Sequence, residues 1–425
     1  MKFTIKEYTW HALGTTVLGG LLCVLLGVVC INSSFFDPVS KALGRISFTD
    51  TYFYLLNSAE DAETDFSNNV VLVDMNGCQS RAEIAAKLDE LTACNPAVVG
   101  MDAMFGNNSM TGKAVDDSLM HAAKRCKQLI TAFRVVPTVD GFTQEHSYFI
   151  DSTGTEEACI NVESDVWRNY NLELEFDTLK VKTFVGKILE KAYPDIYDKL
   201  KSTGNNDFLI NFKGIMFDTY AFADSLYPED IEGKIVLMGD FEDLRDYHDV
   251  PTTADGQTRI NGTLVHAYSI ATATQGRQID KMSNFWGMIL GVILTYIFAF
   301  VCSIIFVELD ELSGLYTNAF LLFVLVTLCI VGGIIFIKYQ YELNLVTAML
   351  GIGAVGTTNE IWFWLCTTRP YIKIQTLLGL PDGGVRQYVN TSSNGTEAAL
   401  KKEESKETTN EADGTEIELP NKKDK

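Results

Sequence analysis

The chain has 425 residues and a formal net charge of −21. Residues 32–284 hold most of the excess acid, with 22 Lys and Arg against 39 Asp and Glu. A surface this acidic excludes nucleic acid as a partner and argues against docking on anionic lipid. A soluble acidic surface is the simplest interpretation, although cationic or basic ligands would also suit this charge.

Four long apolar stretches divide the chain, at residues 12–31, 285–307, 315–337 and 345–366. A hydrocarbon core about 30 Å thick needs about 20 apolar residues of helix, and each stretch reaches that length. The first has no small-residue cleavage site after it, which predicts an uncleaved anchor. We therefore expect a multi-pass membrane protein with both termini on one side and one large domain at 32–284.

The two ends of the chain flank these spans. Residues 1–11 form a short N-terminus, and residues 367–425 form a tail on the same side. From about residue 388 the tail is polar and cannot bury enough surface to offset its ordering entropy, so we expect disorder there. The tail is too short for a kinase or cyclase domain.

Short β-branched runs alternate with amphipathic stretches in the large domain. The pattern predicts strands at 70–75, 97–105, 129–136, 208–212 and 234–241. It predicts helices at 80–94, 115–126, 180–192, around 220–226 and at 262–275, with a hairpin and loops at 138–178. This alternation favours an α/β domain whose mostly parallel sheet is covered by helices on both faces.

Acidic residues follow the predicted strands. Asp74, Asp102 and Asp240 lie at or near strand ends, and Asp246 and Asp249 follow in the next loop. Because ligands of open α/β sheets bind outside the carboxyl ends of the strands, these acids form a candidate ligand site. Capping and turn formation explain any one of them equally well.

His266, on the last predicted helix of the domain, completes the candidate site. It or His248 could act as a base, but packing against the sheet and surface hydrogen bonding are the simpler roles. No nucleophile elbow, Walker loop, zincin motif or dinucleotide fingerprint occurs. We expect no catalysis and no cofactor, and the acids leave a metal open.

Four cysteines fall in the large domain, at positions 78, 94, 126 and 159. They have no metal-ligand spacing, and their even number allows disulfides without requiring them. The pairing of Cys78, Cys94, Cys126 and Cys159 stays open.

An ordered series of motifs resembles the CHASE type-2 extracellular sensory domain of bacterial receptors. A first span precedes VVLVDM, NPAVVGMDAMF and GKIVLMGDF, and Asn261-Gly262-Thr263-Leu264-Val265-His266-Ala267 precedes three closing spans. Two positions depart from the family pattern: the acidic strand end reads Asp74-Met75-Asn76, and Val250 precedes Pro251 where Thr is usual. The resemblance implies a domain outside the cytoplasmic membrane and both termini in the cytoplasm.

The leading hypothesis is a non-catalytic sensor of the cell inner membrane. Its periplasmic domain would receive a ligand or protein and signal through the helices to a partner that carries the output activity. The resemblance adds a homodimer as a further expectation. The alternatives are a scaffold subunit of an envelope complex and a metal-dependent extracytoplasmic hydrolase using Asp74, Asp102 and Asp240.

Glu360 is the one acid within an apolar stretch. An intramembrane carboxylate is a functional candidate, although this one lies close enough to the boundary to reach water or Arg369. Gly351, Gly353 and Gly356 in the same stretch would allow close approach of another helix.

Overall fold

The computed structural model describes residues 4–32, 47–58, 65–106, 113–139, 141–161, 166–202, 207–309 and 312–378. The segment expected to be disordered from about residue 388 lies outside these residues. The chain forms two compact units. One comprises residues 1–37, 282–331 and 344–425, and the other comprises residues 38–281 and 332–343.

A seven-stranded sheet forms the centre of the second unit. Its strands are β1 (Asp65–Asp74), β2 (Val98–Met101), β3 (Leu129–Thr138), β4 (Gly141–Glu145), β5 (Glu156–Cys159), β10 (Ile215–Ala221) and β11 (Ile235–Gly239). The order is β10-β1-β11-β2-β3, after which β3 pairs with β4 and β5. Only the β3–β4 pair is antiparallel. The predicted mostly parallel α/β sheet is therefore confirmed.

Both faces of the sheet are buried, as its continuous apolar strands predict. In β1, Val70 and Leu72 belong to one apolar cluster, and Val71 and Val73 belong to the other. Helices α3 (Arg81–Ala93) and α4 (Lys113–Arg125) cover one face. Helices α6 (Phe184–Ala192) and α9 (Gly262–Thr274) cover the other.

Shorter elements lie around this sheet. They are α2 (Phe48–Asn57), α5 (Ile150–Thr153), β6 (Asn169–Asn171), β7 (Glu173–Phe176), β8 (Leu179–Lys182), α7 (Pro194–Ser202), β9 (Asp207–Leu209), α8 (Pro228–Ile231), β12 (Tyr247–Asp249), β13 (Arg259–Asn261) and β14 (Asp280–Lys281).

The helix predicted around 220–226 is wrong, because Tyr220 and Ala221 end strand β10. Hydrogen bonding of β10 to β1 outweighs the weak local helical pattern.

The membrane-type helices are α1 (Ile5–Asn32), α10 (Asn284–Leu309), α11 (Ser313–Tyr339) and α12 (Val346–Thr367), followed by α13 (Arg369–Leu378). Among the described residues, Ile5–Val28, α10 and α11 are long and apolar enough to cross a membrane. In the first unit, α12 packs against α1 and α10. Their shared core contains Ala12, Phe298, Ala299, Cys302, Ile352 and Val355.

The last turns of α11 belong to the second unit. Phe336 is buried against Tyr52 and Phe53 of α2, with ring centroids 5.4 Å apart in both pairs. Strand β15 (Tyr341–Glu342) pairs with β14, and the Thr49 hydroxyl donates to Glu342 Oε1 at 2.6 Å. The end of this apolar helix is thus built into the core of the α/β unit.

Candidate functional site

The candidate site lies where β2 ends and α9 begins. Asp102 directly follows β2, and Asn261 caps α9 by accepting the Thr263 N–H with its side chain. The Asn261 amide also donates to the Asp240 carbonyl at 2.9 Å, which ties the start of α9 to the end of β11. These bonds fix the first turn of the helix against the carboxyl edge of the sheet.

Asp102 is a buried carboxyl group, with a side chain only 7% exposed. The Thr263 hydroxyl donates to its Oδ2 at 2.8 Å. Thr263 can approach because its neighbour across the sheet end is Gly239, where a Cβ would overlap the Thr263 hydroxyl. A glycine at the end of β11 therefore makes room for the contact that holds Asp102.

His266 lies one turn further along α9 and is 3% exposed. Its Nε2 is 3.8 Å from Asp102 Oδ2, which is too far for a hydrogen bond. Its Nδ1 is 3.0 Å from the Tyr170 hydroxyl, and the rings of Trp167 and Phe184 lie 5.5 and 5.0 Å from the imidazole. The imidazole is therefore enclosed by aromatic rings and faces Asp102 on one side.

Burial changes the titration of both groups, since it disfavours whichever form is charged. It raises the pKa of Asp102 to about 7, with a smaller contribution from the negative charge of Asp246. It lowers the pKa of His266 to about 3. Near neutral pH the imidazole is consequently uncharged, and the Asp102 carboxyl gains or loses its proton.

Asp246 and His248 connect this buried pair to the surface. Asp246 Oδ2 accepts the Gly262 N–H at 3.1 Å, at the positive end of α9. His248 Nε2 lies 3.4 Å from Asp246 Oδ1, and its ring stacks on Trp167 at 4.9 Å. Asp246 is 43% exposed, so the four titratable groups extend from solvent to the sheet end.

The other three predicted site acids make backbone or ion-pair contacts of their own. Asp74 Oδ1 accepts the N–H groups of Asn76 and Phe241, and Asp240 Oδ1 accepts that of Glu242. The half-exposed Asp249 carboxylate lies 3.8 Å from Arg259. The structure thus brings Asp102, Asp246 and His266 together, and uses Asp74, Asp240 and Asp249 in turns and surface contacts.

The sequence prediction missed Trp167, Tyr170 and Thr263. Trp167 is the only tryptophan in residues 32–284, which marks it in an otherwise polar insertion. Trp167 and Tyr170 also line a polar cavity of about 330 Å³. Their approach to His266 depends on a backbone bond from the Trp167 N–H to the Asp249 carbonyl, which no local pattern reveals.

Metal and disulfide chemistry were left open by the sequence. Within the described residues, no group of three or more His, Cys, Asp or Glu side chains is arranged to hold a metal ion. No disulfide joins Cys78, Cys94, Cys126 and Cys159 in the part of the chain that the structure describes, and the last three are buried.

We expect the substitution Gly239→Ala to destabilise the α/β unit, because the new methyl group would displace Thr263 from Asp102. Overpacking of this kind costs about 1–3 kcal/mol. Gly106→Ala is the control, since a Cβ there has open space and the effect should stay within about 0.5 kcal/mol. Denaturation of the full chain, with its other four tryptophans replaced by Phe and followed by Trp167 fluorescence, compares the two. Equal losses would contradict a close contact at Gly239.

The fold and the apolar helices define a membrane-anchored α/β domain protein. The CHASE2 domain model matches residues 26–305, which include residues 38–281 of the α/β unit and most of α10. The chain therefore belongs to the CHASE2 family of sensory domains, as the motif series indicated. No curated protein and no solved structure matches it.

Proposed function

We propose that the chain is a bacterial inner-membrane sensor whose CHASE2 domain lies in the periplasm, receives a ligand, and signals through its helices to a separate protein. The match to CHASE2 across residues 26–305 carries this proposal, because CHASE2 is a sensory domain. The apolar lengths of α1, α10 and α11 support a membrane location.

The proposed receiving site comprises Asp102, Asp246 and His266, with Trp167 and Tyr170 around it. A buried carboxyl group beside an unprotonated imidazole is costly to retain for stability alone, and strongly shifted titration is frequent at functional sites. The ligand-binding roles of Asp74, Asp240 and Asp249 stay predictions.

The proposed route inward uses the end of α11. Phe336 packs in the α/β core, and Glu342 accepts the Thr49 hydroxyl at the start of α2. A rearrangement of this core would therefore act on a membrane helix directly. A ligand drives such a change only through different affinities for two states of the domain.

We expect an epitope inserted after Val139 to be accessible from the periplasm. Val139 is fully exposed near the β3–β4 hairpin turn, so the insertion should be tolerated. Antibody should bind it in cells with a permeabilised outer membrane and an intact inner membrane. An epitope added after Lys425 should need inner-membrane lysis. The reverse labelling pattern would invert the topology and overturn the proposed function.

A further inference from the structure

The outer face of α12 differs from the outer faces of the other membrane-type helices. In the first unit, α1, α10 and the first part of α11 expose large apolar side chains, as expected of helices that span a hydrocarbon core. These include Leu21, Val24, Val292, Ile293, Leu322 and Phe323, all at least 50% exposed. The outer face of α12 also exposes Gly353, Thr357 and Glu360, among the apolar side chains of Leu350, Ile361 and Trp364.

Among the described residues, α12 is not one of the helices that are long and apolar enough to cross a membrane. The inner face of α12 packs closely against α10. There, Gly351 lies so near Thr295 that a Cβ on the glycine would have no room. By contrast, a Cβ at Gly353 or Gly356 would meet nothing within 4 Å. Two glycines therefore lie open on the side of α12 away from its bundle.

Glu360 lies at the depth of the neighbouring spans. The adjacent residue, Asn359, accepts hydrogen bonds from Thr15 of α1 at 3.2 Å and from Ser303 of α10 at 3.3 Å. Both donors belong to helices that can cross a membrane. Within the described part of the chain, no ion pair or hydrogen bond to the Glu360 carboxylate is found. A carboxylate in this position is costly in lipid, so intramembrane acids normally face protein or water.

We propose that the face formed by Leu350, Gly353, Thr357, Glu360 and Trp364 binds a transmembrane helix of a different protein, one that presents an Arg, Lys or His side chain to Glu360. The open glycines let the two backbones approach, and the cationic group neutralises the acid. A symmetric contact with a second copy would place Glu360 against Glu360, which charge repulsion opposes. This inference rests on the proposed function and identifies the chemistry of its signalling partner.

The test uses the full chain in its native membrane, with a photoreactive amino acid at position 350 or 364. We expect crosslinks to a transmembrane peptide of another protein that contains a basic residue, identified by mass spectrometry. The same amino acid at position 322 of α11, which is 65% exposed, is the control and should give only lipid adducts. Glu360→Leu should reduce the specific crosslink at least tenfold, and Glu360→Gln should reduce it less.

Exchange of the two charges gives a second measurement. Glu360→Lys should abolish the crosslink, and replacement of the partner's basic residue by Glu should restore it. Crosslinks only to lipid, to a second copy, or to a segment without a basic residue would overturn the inference. None of these results alters epitope accessibility at position 139, so failure here is distinguishable from an inverted topology.

Discussion

The variant Asp102→Asn should be more stable than the wild-type chain at pH 8, and the advantage should vanish near pH 4. Burial raises the pKa of Asp102 to about 7, above its ordinary value of 3.8. The folded state therefore binds the proton more tightly than the unfolded state, and this stabilisation is lost as pH rises from about 4 to 7. A difference of about three pKa units corresponds to about 4 kcal/mol, which is an upper bound for the gain at pH 8.

His266 should have the opposite effect on the pH dependence of stability. Its pKa falls from 6.5 to about 3 on folding, so its contribution is present above pH 6.5 and is lost as pH falls toward 3. In the wild-type chain the two effects oppose each other between about pH 4 and 6.5. In that window, the variant Asp102→Asn keeps only the effect of His266, so we expect its stability to fall as pH decreases. The variant His266→Asn keeps only the effect of Asp102, so we expect its stability to fall as pH increases.

Urea denaturation of the full chain at several pH values measures both slopes by fluorescence, in the same background that keeps Trp167 as its single tryptophan. Trp167 lies 5.5 Å from His266 and reports directly on the site. The variant Asp249→Asn is the control, because that carboxylate is half-exposed and lies outside the buried pair. Parallel pH profiles for all three variants would contradict the shifted titration of Asp102 and His266.

The variant Phe336→Ala should reduce the stability of the α/β unit by about 3–5 kcal/mol, the usual cost of removing a buried phenylalanine. Phe336 is 3% exposed, and its ring packs edge-on against Phe53 and beside Tyr52. The loss should be seen in Trp167 fluorescence, although position 336 lies in an apolar helix and not in the domain sequence itself.

Ile334→Ala is the control for this prediction. Ile334 lies two residues away on the same helix but is 55% exposed, so its truncation should leave the unfolding of the α/β unit within about 0.5 kcal/mol of wild type. If Phe336→Ala behaved like Ile334→Ala, the end of α11 would not be part of the domain core, and the proposed signalling route would fail.

The sequence predicted the elements whose signals are local. The pattern predicts a strand at 234–241, where β11 is found at Ile235–Gly239, and a helix at 262–275, where α9 is found at Gly262–Thr274. Buried strands of a parallel sheet carry continuous apolar runs that differ from every loop around them. The edge strand β10 is not predicted, and a helix is expected around 220–226 where this strand ends, because four of its seven residues are exposed and it lacks such a run.

Two of the candidate site residues lie together. Asp102 lies near a predicted strand end and His266 on the last predicted helix of the domain, and the structure places Oδ2 of the first 3.8 Å from Nε2 of the second. Asp74 and Asp240 follow strand ends equally well, yet their carboxylates accept backbone N–H groups of nearby turns. Residue type and strand order do not distinguish these outcomes, because the direction of each side chain depends on the register and on the helix above it.

The sequence by itself determined that this protein has long apolar helices around one acidic α/β domain, since length, hydropathy and strand pattern are properties of contiguous residues. The tertiary structure alone decided that Trp167 and Tyr170 enclose His266, that Phe336 completes the domain core, and that Glu360 faces away from its own bundle. These facts join residues about 100 to nearly 300 positions apart, or depend on which side of a helix is covered. Packing alone decides which distant residues touch and which side of a helix is covered, because many folded arrangements share the same local sequence pattern.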